Sequence, residues 1–589
     1  MPANLHLLPV TTRRVAAPTS ICAQCRIALS SLNPSKRRRF SSAPPFGLAS
    51  TSSSPSSSSS TSGASTSPST TSTPEIYDVV TVGGGPAGLA LLAALKSSPI
   101  TSHLKTALIE TQDLAKVRQW SLPSDKFANR ASSLTPSSVS FLEQTGSWRH
   151  VDQTRIQPYD EMQVWDAAND AAIQFDWRAE ARRYNAPPQT VATMVENANL
   201  TKGLLERIFQ LGGESSLLSN TSVASITMGK DDPDGFNLST WPVLNLESKE
   251  NTNAGPNSSS PPSSIAARLL VGADGFNSPV RKFSAIDSQG WDYNRHGVVA
   301  TLTVQPIDGE SHSHDHDTEL TLDQLLSDDL EAPSNRATAY QRFLPQLGGP
   351  IAILPLPNNR ASMVWSTTPQ NAAYLKQLAP LGQVSMINAA LRLSQVDIKY
   401  MFTLPTTSDS TDSASSHDSE LRWRLQHTTP PSLSRQPPIV TGVQEGSLAS
   451  FPLRFRHASR LINPRVALVG DAAHTVHPLA GQGLNLGLAD ARSLADTIAY
   501  AVTHGMDLGD LMTLERYGCD RFGKGLLMAG GVDALNSVYQ LDNNYVLGGG
   551  ESGDGILSTV LGQIRGLGMK VVDSGLVPGL KTLIMKQAN

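Results

Sequence analysis

The apolar run from Ile76 to Val82 breaks directly into Gly83-Gly84-Gly85-Pro86-Ala87-Gly88, and Leu89 to Lys96 beyond it has helical composition. A strand that turns on glycines into a helix constrains the fold more than any other feature of this chain, because it specifies a parallel βαβ unit. The G-x-G-x-x-G spacing gives each glycine a task. Gly83 permits the tight turn, Gly85 lets a pyrophosphate approach the backbone, and Gly88 lets the helix pack close to the strand. The helix N-terminus then offers unpaired N–H groups and a partial positive charge to phosphate. A second strand, Lys105 to Ile109, ends at Glu110, whose carboxylate can accept hydrogen bonds from a ribose. On these residues alone FAD and NAD are equally acceptable. A second match, Gly548-Gly549-Gly550-Glu551-Ser552-Gly553, has only Tyr545-Val546-Leu547 before it and no acid-terminated strand after it, and reads as a flexible loop.

At 589 residues the chain exceeds what one core usually serves, so two or more structural units are expected. Residues 1 to 74 hold seven basic residues and no acid. This Arg- and Ser-rich leader reads as a mitochondrial transit peptide over residues 1–40, and Arg37-Arg38-Arg39-Phe40-Ser41 resembles a matrix-processing site. A disordered Ser/Thr/Pro linker follows over 41–75. The rest of the chain carries a charge of about −11 and lacks the basic footprint of a nucleic-acid binder. Cys22, Cys25 and Cys519 are too few for a disulfide scaffold and point to a reducing compartment; Cys22-x-x-Cys25 lies inside the leader without a second pair. No run approaches 18 apolar residues, so no transmembrane helix is expected. Asn251 to Ser264, Asp308 to Asn335 and Thr406 to Pro437 read as low-complexity surface insertions. His312, His314 and His316 in the second are expected to be solvated, and no metal site is expected.

Two distant segments extend the pattern. Leu269-Leu270-Val271-Gly272-Ala273-Asp274-Gly275 is a strand ending in Asp-Gly, followed by Ser278-Pro279-Val280-Arg281 at a helix start. Val466-Ala467-Leu468-Val469-Gly470-Asp471 is a strand ending in Gly-Asp. With the glycine motif they resemble the three fingerprints of the FAD-dependent aromatic hydroxylases of the p-hydroxybenzoate hydroxylase fold. His477-Pro478-Leu479-Ala480-Gly481-Gln482-Gly483-Leu484-Asn485-Leu486-Gly487-Leu488-Ala489-Asp490 is similar to the signature of their ubiquinone-biosynthesis branch. Tyr340-Gln341-Arg342-Phe343-Leu344-Pro345 and the run Gly349 to Leu356 resemble the same branch.

The resemblance covers nearly everything from Ile76 onward. It implies an α/β fold with a Rossmann-like FAD-binding domain, a β-sheet substrate domain and a C-terminal helical segment. The FAD-binding parts are expected at 76–150, 191–290 and 446–515, the substrate domain at 151–190 and 291–445 with disordered insertions, and the helical segment at 516–589. The implied activity is a monooxygenase that hydroxylates the ring of a polyprenylated phenol with molecular oxygen through a flavin hydroperoxide. Ferredoxin is the implied electron donor, other ubiquinone-biosynthesis proteins the implied partners, and the matrix side of the inner-membrane surface the implied location. An FAD hydroxylase or epoxidase for another aromatic or terpenoid, and an FAD-stabilised scaffold without turnover, stay open.

Site residues follow from the same resemblance. Asp471 falls on the ribityl chain of FAD, beside Gly470, and Asp274 with Gly275 bounds the pyrophosphate groove. Gly481-Gln482-Gly483 opens a long apolar helix whose N–H groups and dipole can stabilise negative charge on the flavin, with Asn485 in its first turns. Arg130 resembles an arginine that contacts FAD. His477 and Pro478 fall beside the isoalloxazine, where His477 either tunes a phenol proton or is a packed structural histidine. Arg342 and Phe343 face the substrate pocket or are ordinary sheet residues. No catalytic acid or base is assigned.

Strands are expected at Glu161 to Val164 and Ile173 to Trp177, and at Ile351 to Leu356 and Ser362 to Ser366 around Pro357-Asn358-Asn359, forming an apolar roof over a dry pocket. Arg454, Arg456, His457, Arg460 and Arg465 are the expected basic patch for an acidic ferredoxin. The segment Ile556 to Lys586 either docks on the enzyme's own body or meets a membrane surface.

Overall fold

The buried Val, Leu, Ile and Ala runs flagged by the sequence build one parallel core, because only strands covered on both faces can be apolar throughout. The computed structural model describes residues 74–168, 171–179, 190–231, 236–248, 263–305, 337–406, 411–427, 436–476 and 481–540. The leader and linker up to residue 73, the glycine match at 548–553 and the segment 556–586 lie outside the described residues.

In the first sheet, β1 (Glu75–Val82) lies between β2 (Thr106–Ile109) and β11 (Ser264–Gly272), parallel to both. Parallel β8 (Leu217–Leu218) continues beyond β2, and parallel β19 (Val466–Leu468) beyond β11. Antiparallel β18 (Ile462–Asn463) closes one edge, while β9 (Thr221–Met228) and β10 (Pro242–Ser248) join the start of β11. Val82 stands opposite both Ile109 and Gly272, and Gly272 opposite Leu468. Four strands therefore end level, and the loops that follow them share one edge, the position where open parallel sheets bind ligands. Helix α1 (Pro86–Ser97) packs its buried Leu89, Leu91 and Leu95 in one core with Leu204 of α3 (Asn197–Gln210) and Leu488 of α9 (Gln482–Thr503).

The second sheet runs in the order β20 (His474–Thr475), β17 (Ala449–Ala458), β12 (Ser288–Val304), β15 (Arg360–Thr367), β14 (Ile351–Leu356), β13 (Thr338–Phe343), β5 (Glu161–Asp166) and β6 (Ala172–Asp176), with β16 (Val440–Val443) also on β12. Asn358 and Asn359, at φ 60° and 54°, form the hairpin turn between β14 and β15; asparagine tolerates this left-handed pair. Strand alternation gives the sheet two unlike faces. Trp165, Val298, Tyr340, Ile353, Met363 and Trp365 point one way into a core sealed by α5 (Pro369–Gln377), α6 (Pro380–Arg392), α7 (Gln395–Met401) and α8 (Thr411–His427). The other face meets a three-stranded sheet, β3 (Ala131–Leu134), β7 (Ala192–Glu196) and β4 (Gln157–Tyr159), through Ala339, Leu354 and Leu356 against Phe127, Tyr159 and Met194. Elsewhere this face is only half-covered, and Ala352, Val364 and Phe175 remain partly exposed.

Helix α8 corrects the expectation of an unstructured insertion over Thr406 to Pro437. Its low-complexity composition conceals pairs at helical spacing, Asp418 with Arg422 and Glu420 with Arg424. His417 and Leu421 form a buried stripe, with His417 Nε2 2.8 Å from the Tyr374 hydroxyl. Helix α10 (Leu511–Gln540) packs on α9 and completes the first unit. No helix among the described residues is long and apolar enough to cross a membrane.

Candidate active site

The four loops at the shared edge carry the motif residues. Gly83, at φ 110°, is pressed against the Ala273 carbonyl, and any side chain on Gly88 would collide with the Gly83 carbonyl oxygen, so both glycines are sterically required. Gly85 differs: a Cβ built there meets nothing within 4 Å. The space beside its backbone is open at the N-terminus of α1, where Pro86 occupies the first helical position and no side chain caps the helix. Glu110 leans into the same loop, its Oε2 accepting the Gly84 N–H at 2.6 Å and its Oε1 the Gln112 N–H at 2.8 Å.

After β11, Asp274 Oδ2 accepts the Val280 N–H at 3.1 Å at the start of α4 (Pro279–Phe283), while Oδ1 is buried with no partner among the described residues. Burial pushes this carboxyl up, opposed by hydrogen bonds from Ser278 and Val280. Gly275, at φ 79°, opens to free space. After β19, Gly470 turns at φ 60° and presents Asp471, which is exposed at the sheet edge. Protein packed around the carboxyl displaces part of its water and raises its pKa, with the charge of His474 acting against it.

Behind this turn lies a charge network that sequence reasoning missed. Asp490, on the buried stripe of α9, accepts the Gly470 N–H at 3.0 Å, His474 Nε2–H at 2.6 Å and Arg521 Nε–H at 2.8 Å. All three side chains are buried. Burial alone would raise the Asp490 carboxyl, but His474 and Arg521 outweigh it and hold it below the ordinary carboxylate range. Burial likewise opposes charge on His474, and Asp490 reverses that, holding the imidazole above its ordinary value. The sequence signal was an acid on an apolar stripe: Leu486 and Leu494 flank Asp490 at i−4 and i+4, both buried.

The head of α9 faces the same edge. Gly481 caps the helix at φ 60° with no side-chain bond, leaving the first N–H groups of Gln482 and Gly483 without intrahelical partners. A Cβ built on Gly487 would stand 3.3 Å from the Ala87 side chain on α1 and from the Gly470 Cα, so the bare glycine lets α9 lie against the glycine loop. Asn485, expected in the cofactor site, acts here as a staple between elements. Its Oδ1 accepts from Thr135 N and Ser138 Oγ at 3.0 and 2.7 Å and its Nδ2 donates to the Ser133 carbonyl at 2.8 Å, so the amide is consumed by protein. It fixes α9 to the start of α2 (Pro136–Gln144).

Arg130 is exposed immediately before β3 and forms no ion pair among the described residues. The loop before it is tied down by buried Arg155, which pairs with Glu196 at 2.7 Å and donates to the Lys126 carbonyl. Arg342 and Phe343 are adjacent in one strand and take opposite faces. Arg342 points to the helices and donates to the Ala390 carbonyl of α6 at 3.0 Å, which removes it from the candidate pocket. Phe343 lies on the half-open face with Val164 and Ala171. His477 and Pro478 lie outside the described residues.

The expected basic patch does not form. Asp292 takes both Arg454 and Arg456, at 3.6 and 2.7 Å, and Arg465 pairs with Asp507 at 2.9 Å. His457 is buried and neutral, its pKa pushed down to about 4 by burial and by His474. Arg460 alone of the five is exposed without an ion pair among the described residues.

This donor set suits a dinucleotide: an open cradle at Gly85, an unpartnered buried carboxylate oxygen at Asp274, and two uncapped helix N-termini at one sheet edge. Among the described residues no group of acids, histidines and cysteines could hold a metal. Comparison with known proteins agrees. The FAD binding domain family matches residues 76–322 and 385–521. The chain is 34% identical to the mitochondrial ubiquinone biosynthesis monooxygenase COQ6 of Schizosaccharomyces pombe, over 80% of this chain and 86% of that protein. Its identity to the proteins of the same description from Saccharomyces cerevisiae and Homo sapiens is 36% and 32%, over 80% of this chain in both cases and 88% and 86% of theirs. The crystal structure of p-nitrophenol 4-monooxygenase PnpA from Pseudomonas putida shares the fold, with a TM-score of 0.51 at 16% identity over 87% of this chain and 99% of that one. Sequence, site and fold thus converge, and the chain belongs to the ubiquinone-biosynthesis branch of the FAD-binding aromatic monooxygenases.

Proposed function

We propose that the enzyme hydroxylates the ring of a polyprenylated phenol in ubiquinone biosynthesis, with molecular oxygen as co-substrate. The observation that carries this reading is the half-open apolar sheet face standing on the same side as the head of α9, linked to it through Tyr159, Ser133 and Asn485. Bound FAD supplies the activation of oxygen. The chain's own residues hold, orient and exclude water.

In this reading Gly85 admits the pyrophosphate, Asp274 and Glu110 accept hydroxyl hydrogens, and Asp471 accepts from the ribityl chain. The N–H groups of Gln482 and Gly483 favour negative charge at the flavin's pyrimidine edge. Gly470 and Gly275 shape the turns, Arg130 reaches the cofactor from the loop before β3, and His477 and Pro478 border the ring. Phe343 belongs to the apolar lining that keeps the pocket dry. Residues 76–150, 191–290 and 446–515 hold FAD, except that β17 and β20 within the last of these belong to the second sheet, which covers it.

Electrons come from a ferredoxin, in a matrix complex with other ubiquinone-biosynthesis proteins at the inner-membrane surface, after import directed by residues 1–40. Two measurements test this. Cells lacking the protein accumulate an unhydroxylated precursor, rescued by wild type and not by Gly85→Val; rescue by the flavin-free variant would make the protein a scaffold. Anaerobic flavin reduction is fast with reduced ferredoxin and slow with NADPH alone, and the reverse result would make the enzyme self-sufficient.

A further inference from the structure

The half-open face of the second sheet carries a single amide in the middle of a hydrocarbon row. Ile173, Val164, Gln341, Ala352, Val364 and Val299 stand opposite one another in register across β6, β5, β13, β14, β15 and β12. Gln341 is 6% exposed, its side chain makes no hydrogen bond with any described residue, and neither of its amide atoms is among those sealed from solvent without a partner. The amide therefore keeps a narrow opening toward the uncovered side of the sheet, and a molecule that closes over it must supply a hydrogen-bond partner or leave it unpaired. Its neighbours in the strand, Tyr340 and Arg342, point into the helix-sealed core. Gln341 points the other way, with Ala339, which packs against Tyr159. The Tyr159 hydroxyl is 2.7 Å from Ser133 Oγ, and the Ser133 carbonyl accepts from Asn485 at the head of α9. The amide thus lies on the side of the sheet that meets the flavin-facing helix terminus.

We propose that Gln341 is a substrate-binding residue whose amide hydrogen-bonds the ring oxygen of the phenol, while the apolar row on either side holds the ring and the first part of its tail. This rests on the reading above that the substrate is phenolic. An amide suits the task because it donates and accepts, serving a phenol or its anion without adding a charge to a dry pocket. It also gives discrimination: a ring lacking the oxygen covers the amide without pairing it and is rejected.

The test uses the full FAD-loaded chain, a short-tailed prenylated phenol and its analogue lacking the ring hydroxyl. Binding is followed by the perturbation of flavin absorbance, alongside product formation. Wild type prefers the phenol by about tenfold or more, on the order expected for one neutral hydrogen bond to a buried partner. Gln341→Leu and Gln341→Met bind the phenol about tenfold more weakly, bind the analogue as well as wild type does, and keep full flavin content. Retained preference in both variants overturns the inference, as does an equal loss for both compounds, which is the mark of a packing role. If wild type binds and hydroxylates no phenol at all, the phenolic reading falls first and the assignment of Gln341 with it.

Discussion

Substituting Asp490 by Ala removes one carboxylate and strands three partners. Gly470 N–H, His474 Nε2–H and Arg521 Nε–H all end on it, at 3.0, 2.6 and 2.8 Å, inside a region where Asp490 itself is 1% exposed. His474 can lose its proton, but Arg521 cannot, so a guanidinium that is nearly buried keeps its charge without a counter-ion. Breaking a buried pair in this way costs about 3–5 kcal/mol, which for a body of this size lowers the melting temperature by about 4–6 °C. The change also frees the Gly470 turn that presents Asp471, so the flavin-to-protein ratio after gel filtration should fall. The double variant Asp490→Leu with Arg521→Met distinguishes charge from packing. Removing both charges and filling the space with hydrocarbon should restore most of the thermal stability while leaving flavin content low, because the Gly470 N–H still has no acceptor. A melting temperature for Asp490→Ala within about 2 °C of wild type would refute the reasoning, since it would mean that water already serves these partners.

Gly85→Val should lose FAD while melting close to FAD-free wild type, because a Cβ there meets nothing within 4 Å; Gly88→Val should fail to accumulate as folded protein, and flavin absorbance with circular dichroism separates the two. The stability that wild type holds over Asp490→Asn should depend on pH. His474, with its pKa raised, contributes fully below ~6.5 and loses its contribution as pH rises through the raised value. Asp490, with its pKa lowered, contributes above ~3.9 and loses its contribution as pH falls through the lowered value; melting curves across this range should show the gap narrowing at both ends, and a constant gap would count against the network. Asn485→Ala should cost about 1–3 kcal/mol and weaken FAD binding without abolishing it, measured by flavin titration, because it unpins α9 from Ser133, Thr135 and Ser138.

What could be read in the sequence was whatever a backbone can accept from only one residue type. Gly83 and Gly88 are dictated by contacts too close for a Cβ, and Asn358-Asn359 by a two-residue turn with positive φ at both positions. The level ending of β1, β2, β11 and β19 followed from apolar runs that each stop at a glycine or an acid. Long-range charge pairing was not legible. His474 and Asp490 are 16 residues apart, and Arg521 is 31 beyond Asp490, so no local pattern joins them. The cluster from Arg454 to Arg465 looked like a basic patch because Asp292 and Asp507, which neutralise three of its members, come from distant parts of the chain. Helix α8 was hidden for another reason: serine and aspartate dominate its composition, while the residues that bury it, His417 and Leu421, are few.

Strand β13 shows how the two faces of one sheet divide the work. Thr338 to Phe343 pairs in parallel with β5 and antiparallel with β14, and a slip of one residue would exchange every side chain between faces. The helix side fixes the register. Tyr340 lies in the sealed core with Trp165 and Ile351, and Arg342 is anchored to the Ala390 carbonyl of α6; neither could turn outward without exposing a large buried surface or losing its acceptor. With those two positions fixed inward, Ala339, Gln341 and Phe343 are obliged to face the half-open side. The charged residue that first draws notice in Tyr340-Gln341-Arg342-Phe343 therefore serves the scaffold, and the uncharged amide beside it is the one delivered to the cleft. The helices α5 to α8 lie on the far side of the sheet from the flavin edge, yet by holding β13 in register they decide which polar group a substrate would meet.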